Sequence, residues 1–107
     1  MNVRIHGRNT EIADDVRDHA REKVEHAARI FDDIVTVDVE FTENGNPRLT
    51  DARYRVDITS SAAGQIVRVE AEASDARAAL DSASDTYERQ LRKLKERLIQ
   101  RSRKSSH

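Results

Sequence analysis

The stretch "IVTVDVEFTENGNPRLTDARYRVDITSSAAGQIVRVEAEA", residues 34–73, sets the architecture. Val35, Val37, Val39 and Phe41 alternate with Thr36, Asp38 and Glu40, the period-two pattern of a strand with one apolar face. Gly45 and Pro47 punctuate the following segment as a loop. The alternation then resumes, with Tyr54, Val56 and Ile58 facing one way and Arg53, Arg55 and Asp57 the other. "SSAAG" turns the chain, and Val67, Val69 and Ala71 form the inward face of a return strand. Three strands in succession, each wet on one side, read as an antiparallel meander.

Upstream, "NVRIHG" is a further short strand, with Val3 and Ile5 inward and an end at Gly7. Thr10 offers a hydroxyl N-cap, and Asp14, Asp15 and Asp18 suit the positive end of a helix dipole. Ile12, Val16, Ala20, Val24, Ala27 and Phe31 recur every three or four residues, so a first helix is expected from Thr10 to Phe31. Downstream, Ser74 or Asp75 caps a long second helix with the stripe Leu80, Ala83, Tyr87, Leu91, Leu94 and Leu98. The fold class is α+β, in the order β-α-β-β-β-α. A four-stranded mixed sheet carries both helices on one face and leaves the other in water. The first crossover joins parallel strands and is right-handed. Residues 1–100 make one domain, and "RSRKSSH", residues 101–107, reads as a flexible basic tail or the start of a linker.

The 107 residues suit one modest core. No apolar run approaches a membrane span, no leader is visible, and there is no cysteine, so a cytoplasmic protein is expected. The formal net charge is only -1, yet the charge is segregated. Through Ala83 stand 11 of the 19 Lys and Arg and 17 of the 20 Asp and Glu, leaving 8 and 3 from Ser84 onward. The positive residues gather in "TYERQLRKLKERLIQR", residues 86–101.

At about 100° per residue, Tyr87, Leu91, Leu94 and Leu98 lie roughly 140–200° from Arg89 on the helical wheel. Arg92, Lys93 and Arg97 fall within roughly 80° of it, a cationic ridge opposite the apolar stripe with Glu96 the one acid in its middle. Arg89–Lys93 and Lys93–Arg97 are like-charge neighbours four apart, a spacing that weakens a helix by a few tenths of a kcal/mol each. That cost points to an anionic partner, with RNA the first candidate. A solvated charged face accounts for the composition and periodicity about as well. Two alternatives stand beside ribosomal RNA: another structured RNA, or an acidic protein docked on the second helix.

Phe31, Phe41, Tyr54 and Tyr87 all fall on core faces, whereas the outer sheet face shows Arg53, Arg55, Asp57, Arg68 and Glu70. Base stacking on the sheet is therefore disfavoured. A double-stranded-RNA-binding domain has a similar outline but uses the start of its last helix, where this chain has Asp75, Asp81 and Asp85. On the first helix, Lys23, His19 and His26 lie along one flank of the apolar stripe and Arg17 and Arg21 along the other. Periodicity does not choose which flank meets the second helix; were it that of Lys23, the groove would be positive. His19 and His26 are about 10.5 Å apart along the axis, too far to share a metal ion. The acids near Asp14 form no catalytic set, "NGNP" is a turn and not a phosphate loop, and neither an enzyme nor a cofactor is expected.

"VRIHGRNTEIADDVRDHAREKVEHAARIF" and "ASDARAALDSASDTYERQLRKLKERL" together resemble the ribosome hibernation-promoting factors, also called ribosome-associated inhibitor or protein Y. The likeness covers roughly residues 2–98. It is most specific at Gly7-Arg8-Asn9, Lys23, Asp75, Ala78-Ala79-Leu80-Asp81 and Glu88-Arg89-Gln90-Leu91-Arg92-Lys93. It departs at Arg77 and near His19, where the family often carries aromatic residues; that bears on packing at one end of the helices. The resemblance implies binding to the small ribosomal subunit and its 16S rRNA near the decoding centre, in competition with mRNA, tRNA and initiation factors. It implies RNA contacts at Lys23, Arg89, Arg92, Lys93 and Arg97, with Arg8 a further candidate. It also implies a monomer off the ribosome, unless the domain belongs to a longer chain.

Overall fold

The computed structural model describes residues 1–105 other than 47 and 49, with side chains described through residue 102. The elements run β1 (Asn2–Arg8), α1 (Asp14–Ala28), β2 (Thr36–Glu43), β3 (Tyr54–Ala62), β4 (Gln65–Ala73) and α2 (Ala76–Ser105). The sheet order is β1-β2-β3-β4. β1 lies parallel to β2 with Val3 beside Val37, and the other two pairings are antiparallel, with Val39 beside Ile58 and Ile58 beside Val69. The α+β arrangement is thus the one the alternation implies.

The inward residues of all four strands and the helix stripes form one core, in which Val37, Val39, Val56, Ile58, Val24, Leu80, Tyr87 and Leu91 are fully buried. Tyr87 places its hydroxyl 2.6 Å from that of Ser60, joining α2 to β3 inside the core. On the opposite, water-facing side of the sheet, Arg55 and Arg68 cover the carboxylate of Asp57 at 3.1 and 3.5 Å, and Arg55 also pairs with Glu70. The hydrogen bond to Asp57 is the main influence raising the pKa of Arg55. This side is therefore largely neutralised from within.

Five details differ from the sequence reading. α1 begins at Asp14, not Thr10, because Asn9 turns the chain with φ 59° and brings the Thr10 carbonyl against Gly7. A Cβ on Gly7 would lie 2.3 Å from that oxygen, so only glycine fits. The Thr10 hydroxyl meets the Glu11 carbonyl and caps nothing; Ala13 occupies the N-cap without a side-chain bond. At its far end α1 closes at Ala28, since Ile30 and Phe31 donate to carbonyls three residues back in a tightening turn. Val35 is 73% exposed instead of inward: Ile34 takes the core position, and β2 starts one residue after Val35. β3 absorbs Ser60, Ser61 and Ala62, leaving a two-residue turn at Ala63 and Gly64. Pro47 and residues 106–107 lie outside the described residues, while helix continues past residue 100 to Ser105.

Ala63 and Gly64 both have positive φ, 52° and 75°, the signature of a type I′ hairpin turn. Alanine tolerates that region poorly, and asparagine well. Ala63→Asn is expected to stabilise the fold by about 0.5–1 kcal/mol, raising Tm by several degrees in a thermal melt. An unchanged or lower Tm contradicts this.

Candidate nucleic-acid interface

α2 starts where Asp75 accepts a hydrogen bond from the Ala78 amide at 2.8 Å, a side-chain cap at the second of the two positions its sequence offered. Leu80, Ala83, Tyr87 and Leu91 are fully buried and Leu94 nearly so; this fixes the rotation of the helix. Arg89, Lys93 and Arg97 consequently stand on its outward side, all exposed. None of them forms an ion pair with another described residue, whereas Arg92, one step round towards α1, lies 3.6 Å from Glu88. The ridge thus presents three cations at successive turns, none of them ion-paired among the described residues, with the exposed Glu96 between them.

The flank of α1 that meets α2 is the one bearing Lys23. His19 lies 2.7 Å from Asp81, Lys23 lies 3.8 Å from Asp81 and 3.9 Å from Asp85, and His26 lies 3.7 Å from Glu88. Partners advance along both helices in the same direction, so α1 and α2 run parallel. The groove between them is not the positive channel that this flank would imply, because α2 sets Asp81, Asp85 and Glu88 against it. It is an alternating seam in which Lys23 is already engaged. The other flank turns towards β1, with Arg17 donating to the Ile5 carbonyl at 3.2 Å.

Arg8 is exposed at the end of β1, beside Thr42 on β2. That end of the sheet leads through Glu43–Tyr54 and Tyr54–Ala73 to the start of α2. Arg89 is 13 residues beyond Ala76, about 20 Å along the helix axis. The structure therefore gathers Arg89, Arg92, Lys93 and Arg97, places Lys23 on the neighbouring helix, and keeps Arg8 at the far end.

Sequence reasoning missed Lys95. Its ammonium donates to the Ile30 carbonyl at 3.1 Å, just past the end of α1, and ties the two helices together. Its signal was positional: it lies a turn beyond Arg92, on the α1 side of α2. Among the described residues no cluster of His, Asp or Glu is arranged to hold a metal, and no helix is long and apolar enough to cross a membrane.

Residues 3–99 match the family described as sigma 54 modulation protein / S30EA ribosomal protein. A ribosome hibernation promotion factor from Deinococcus radiodurans is 37% identical over 95 residues, covering 89% of this chain and 49% of that protein. A ribosome hibernation promoting factor from Azotobacter vinelandii is 34% identical over 101 residues, covering 94% of this chain and 89% of its own length. The chain spans about half the length of the Deinococcus relative and of another from Picosynechococcus. The N-terminal domain of Thermus thermophilus protein Y superposes with a TM-score of 0.73 at 33% identity, covering 88% of this chain and 99% of that one. With a match across nearly its full length, and the same fold in a relative of one-third identity, the chain belongs to the sigma 54 modulation protein / S30EA ribosomal protein family.

Proposed function

We infer that this domain is a ribosome hibernation module that binds the 16S rRNA of the small ribosomal subunit near the decoding centre. There it excludes mRNA, the anticodon ends of tRNA and initiation factors. The observation that carries this reading is the ridge of Arg89, Lys93 and Arg97, exposed, four residues apart and without an ion pair among the described residues. A solvated helix gains nothing from such repulsion, and a phosphate backbone relieves it. The names of the relatives support a ribosomal target over another structured RNA. The action is steric: the domain blocks by occupying space in the cytoplasm's idle ribosomes, without a cofactor or a chemical step.

Arg92 reaches RNA from the edge of the ridge. Lys23 contributes less per charge, since a phosphate must compete with Asp81 and Asp85 for it. Arg8 meets a separate stretch of backbone. If all six cations engage phosphates, a threefold rise in salt weakens binding by about 400-fold. Co-sedimentation with isolated small subunits from 0.1 to 0.3 M KCl measures this. A flat salt response sinks the phosphate reading and favours an apolar protein contact.

A further inference from the structure

Beside the ridge, where the end of α1 meets α2, lies an open cleft of about 290 Å³ lined by Ile30, Arg92, Lys95, Glu96 and Ile99. Its apolar part is small: Ile30, partly buried against the core, and Ile99, 44% exposed although it sits on a helix whose other large apolar residues face inward. Its rim is cationic. Arg92 is largely exposed, and Lys95 spends one ammonium N–H on the Ile30 carbonyl and keeps two. Glu96 is the one carboxylate in the lining.

We propose that this cleft receives a single unpaired nucleobase of the bound RNA, a step that rests on the RNA reading of the ridge. Two isoleucines offer a patch about one ring wide, too small for the apolar face of a partner helix and suited to one face of a base. The Arg92 guanidinium supplies a plane for stacking, as arginine does where bases are splayed from folded RNA. Lys95 holds the adjoining phosphate. The surrounding charge selects a polyanion over an apolar peptide, and Arg89, Lys93 and Arg97 continue the phosphate track from the cleft's edge. The Glu96 carboxylate accepts from base N–H groups, which favours guanine, with two adjacent donors on its pairing edge, over uracil.

The test uses protein labelled at the isoleucine δ1-methyl groups and titrated separately with guanosine 5′-monophosphate, uridine 5′-monophosphate and ribose 5-phosphate. Ring currents are expected to move the Ile30 and Ile99 methyl signals upfield, more with the guanine than with the uracil nucleotide and not with the sugar phosphate. The methyl of Ile66, 80% exposed on β4, serves as the remote control and stays in place. Ile99→Ser is expected to abolish the Ile30 response and weaken small-subunit binding about tenfold; Glu96→Gln levels the guanine preference. Silent methyls, an equal response to ribose 5-phosphate, or equal movement of Ile66 overturn the proposal. Weakened subunit binding by Ile99→Ser with silent methyls also overturns it, because the patch then meets ribosomal protein. The ridge is tested separately by charge reversal, so the cleft can fail while the RNA reading stands.

Discussion

An Arg89→Glu, Lys93→Glu double variant is expected to lose association with small ribosomal subunits by roughly a hundredfold to ten-thousandfold, with its folding intact. The estimate follows from two charge-assisted contacts of about 1.5–3 kcal/mol each. Each original side chain is exposed and forms no ion pair with a described residue, so its removal breaks no internal pair there. The reversal exchanges the repulsion between Lys93 and Arg97 for a Glu–Arg pair four apart, gives up the Asp85–Arg89 attraction and leaves positions 89 and 93 like-charged, so the helix gains and loses about equally. The circular-dichroism spectrum and melting temperature should therefore stay close to wild type. The salt dependence of any residual binding should flatten by about two phosphate equivalents. Retained co-sedimentation by the folded variant removes the ridge from the binding surface.

The second large effect concerns the core. Tyr87→Ala is expected to destabilise the domain by about 3–5 kcal/mol, the usual cost of emptying a large aromatic site. Against a typical total of about 5–15 kcal/mol this removes a large share of the stability, read as a drop in the urea midpoint. Tyr87 is fully buried and its hydroxyl is the hydrogen-bond partner of Ser60, so truncation also strands a buried polar group. Tyr87→Phe separates the two contributions and should cost about 1–2 kcal/mol. It should also change the response to alkali. Burial raises the Tyr87 pKa, against a smaller lowering by the Ser60 hydrogen bond. The unfolded chain, with a tyrosine pKa of about 10, then releases its proton first. Stability from this group is complete below that pH and falls as pH climbs towards the folded-state value. Urea midpoints between pH 9 and 11 should decline more steeply for wild type than for Tyr87→Phe; parallel declines contradict the assignment.

The legible parts of the fold are those where one period dominates. The alternation around Val37, Val56 and Val69 placed three strands and their inward faces, and the Leu80–Leu94 stripe fixed which side of α2 faces water. The ends were less legible because tertiary contacts outweigh local propensity there. Thr10 is a good cap by residue type, but the close approach of its carbonyl to Gly7 carries that segment elsewhere. Val35 fits the strand period, yet Ile34 reaches the core first. At the candidate site, the outward placement of Arg89, Lys93 and Arg97 followed from the wheel alone. The engagement of Lys23 with Asp81 and Asp85 did not, because the sign of the seam depends on two helices whose mutual rotation no single-helix pattern encodes. Lys95 was missed for the same reason: its acceptor is a backbone carbonyl 65 residues away in sequence.

The self-paired charges of the water-facing sheet side have a kinetic meaning. With those carboxylates and guanidiniums cancelling one another, the outward positive field is concentrated on the helix spine on the opposite side. A body of net charge -1 would otherwise be repelled weakly by a polyanion in any pose; this one experiences a torque that turns the spine forward during approach. Encounter is pre-aligned, and dilute buffer should speed capture even where the net charge says it should be slowed.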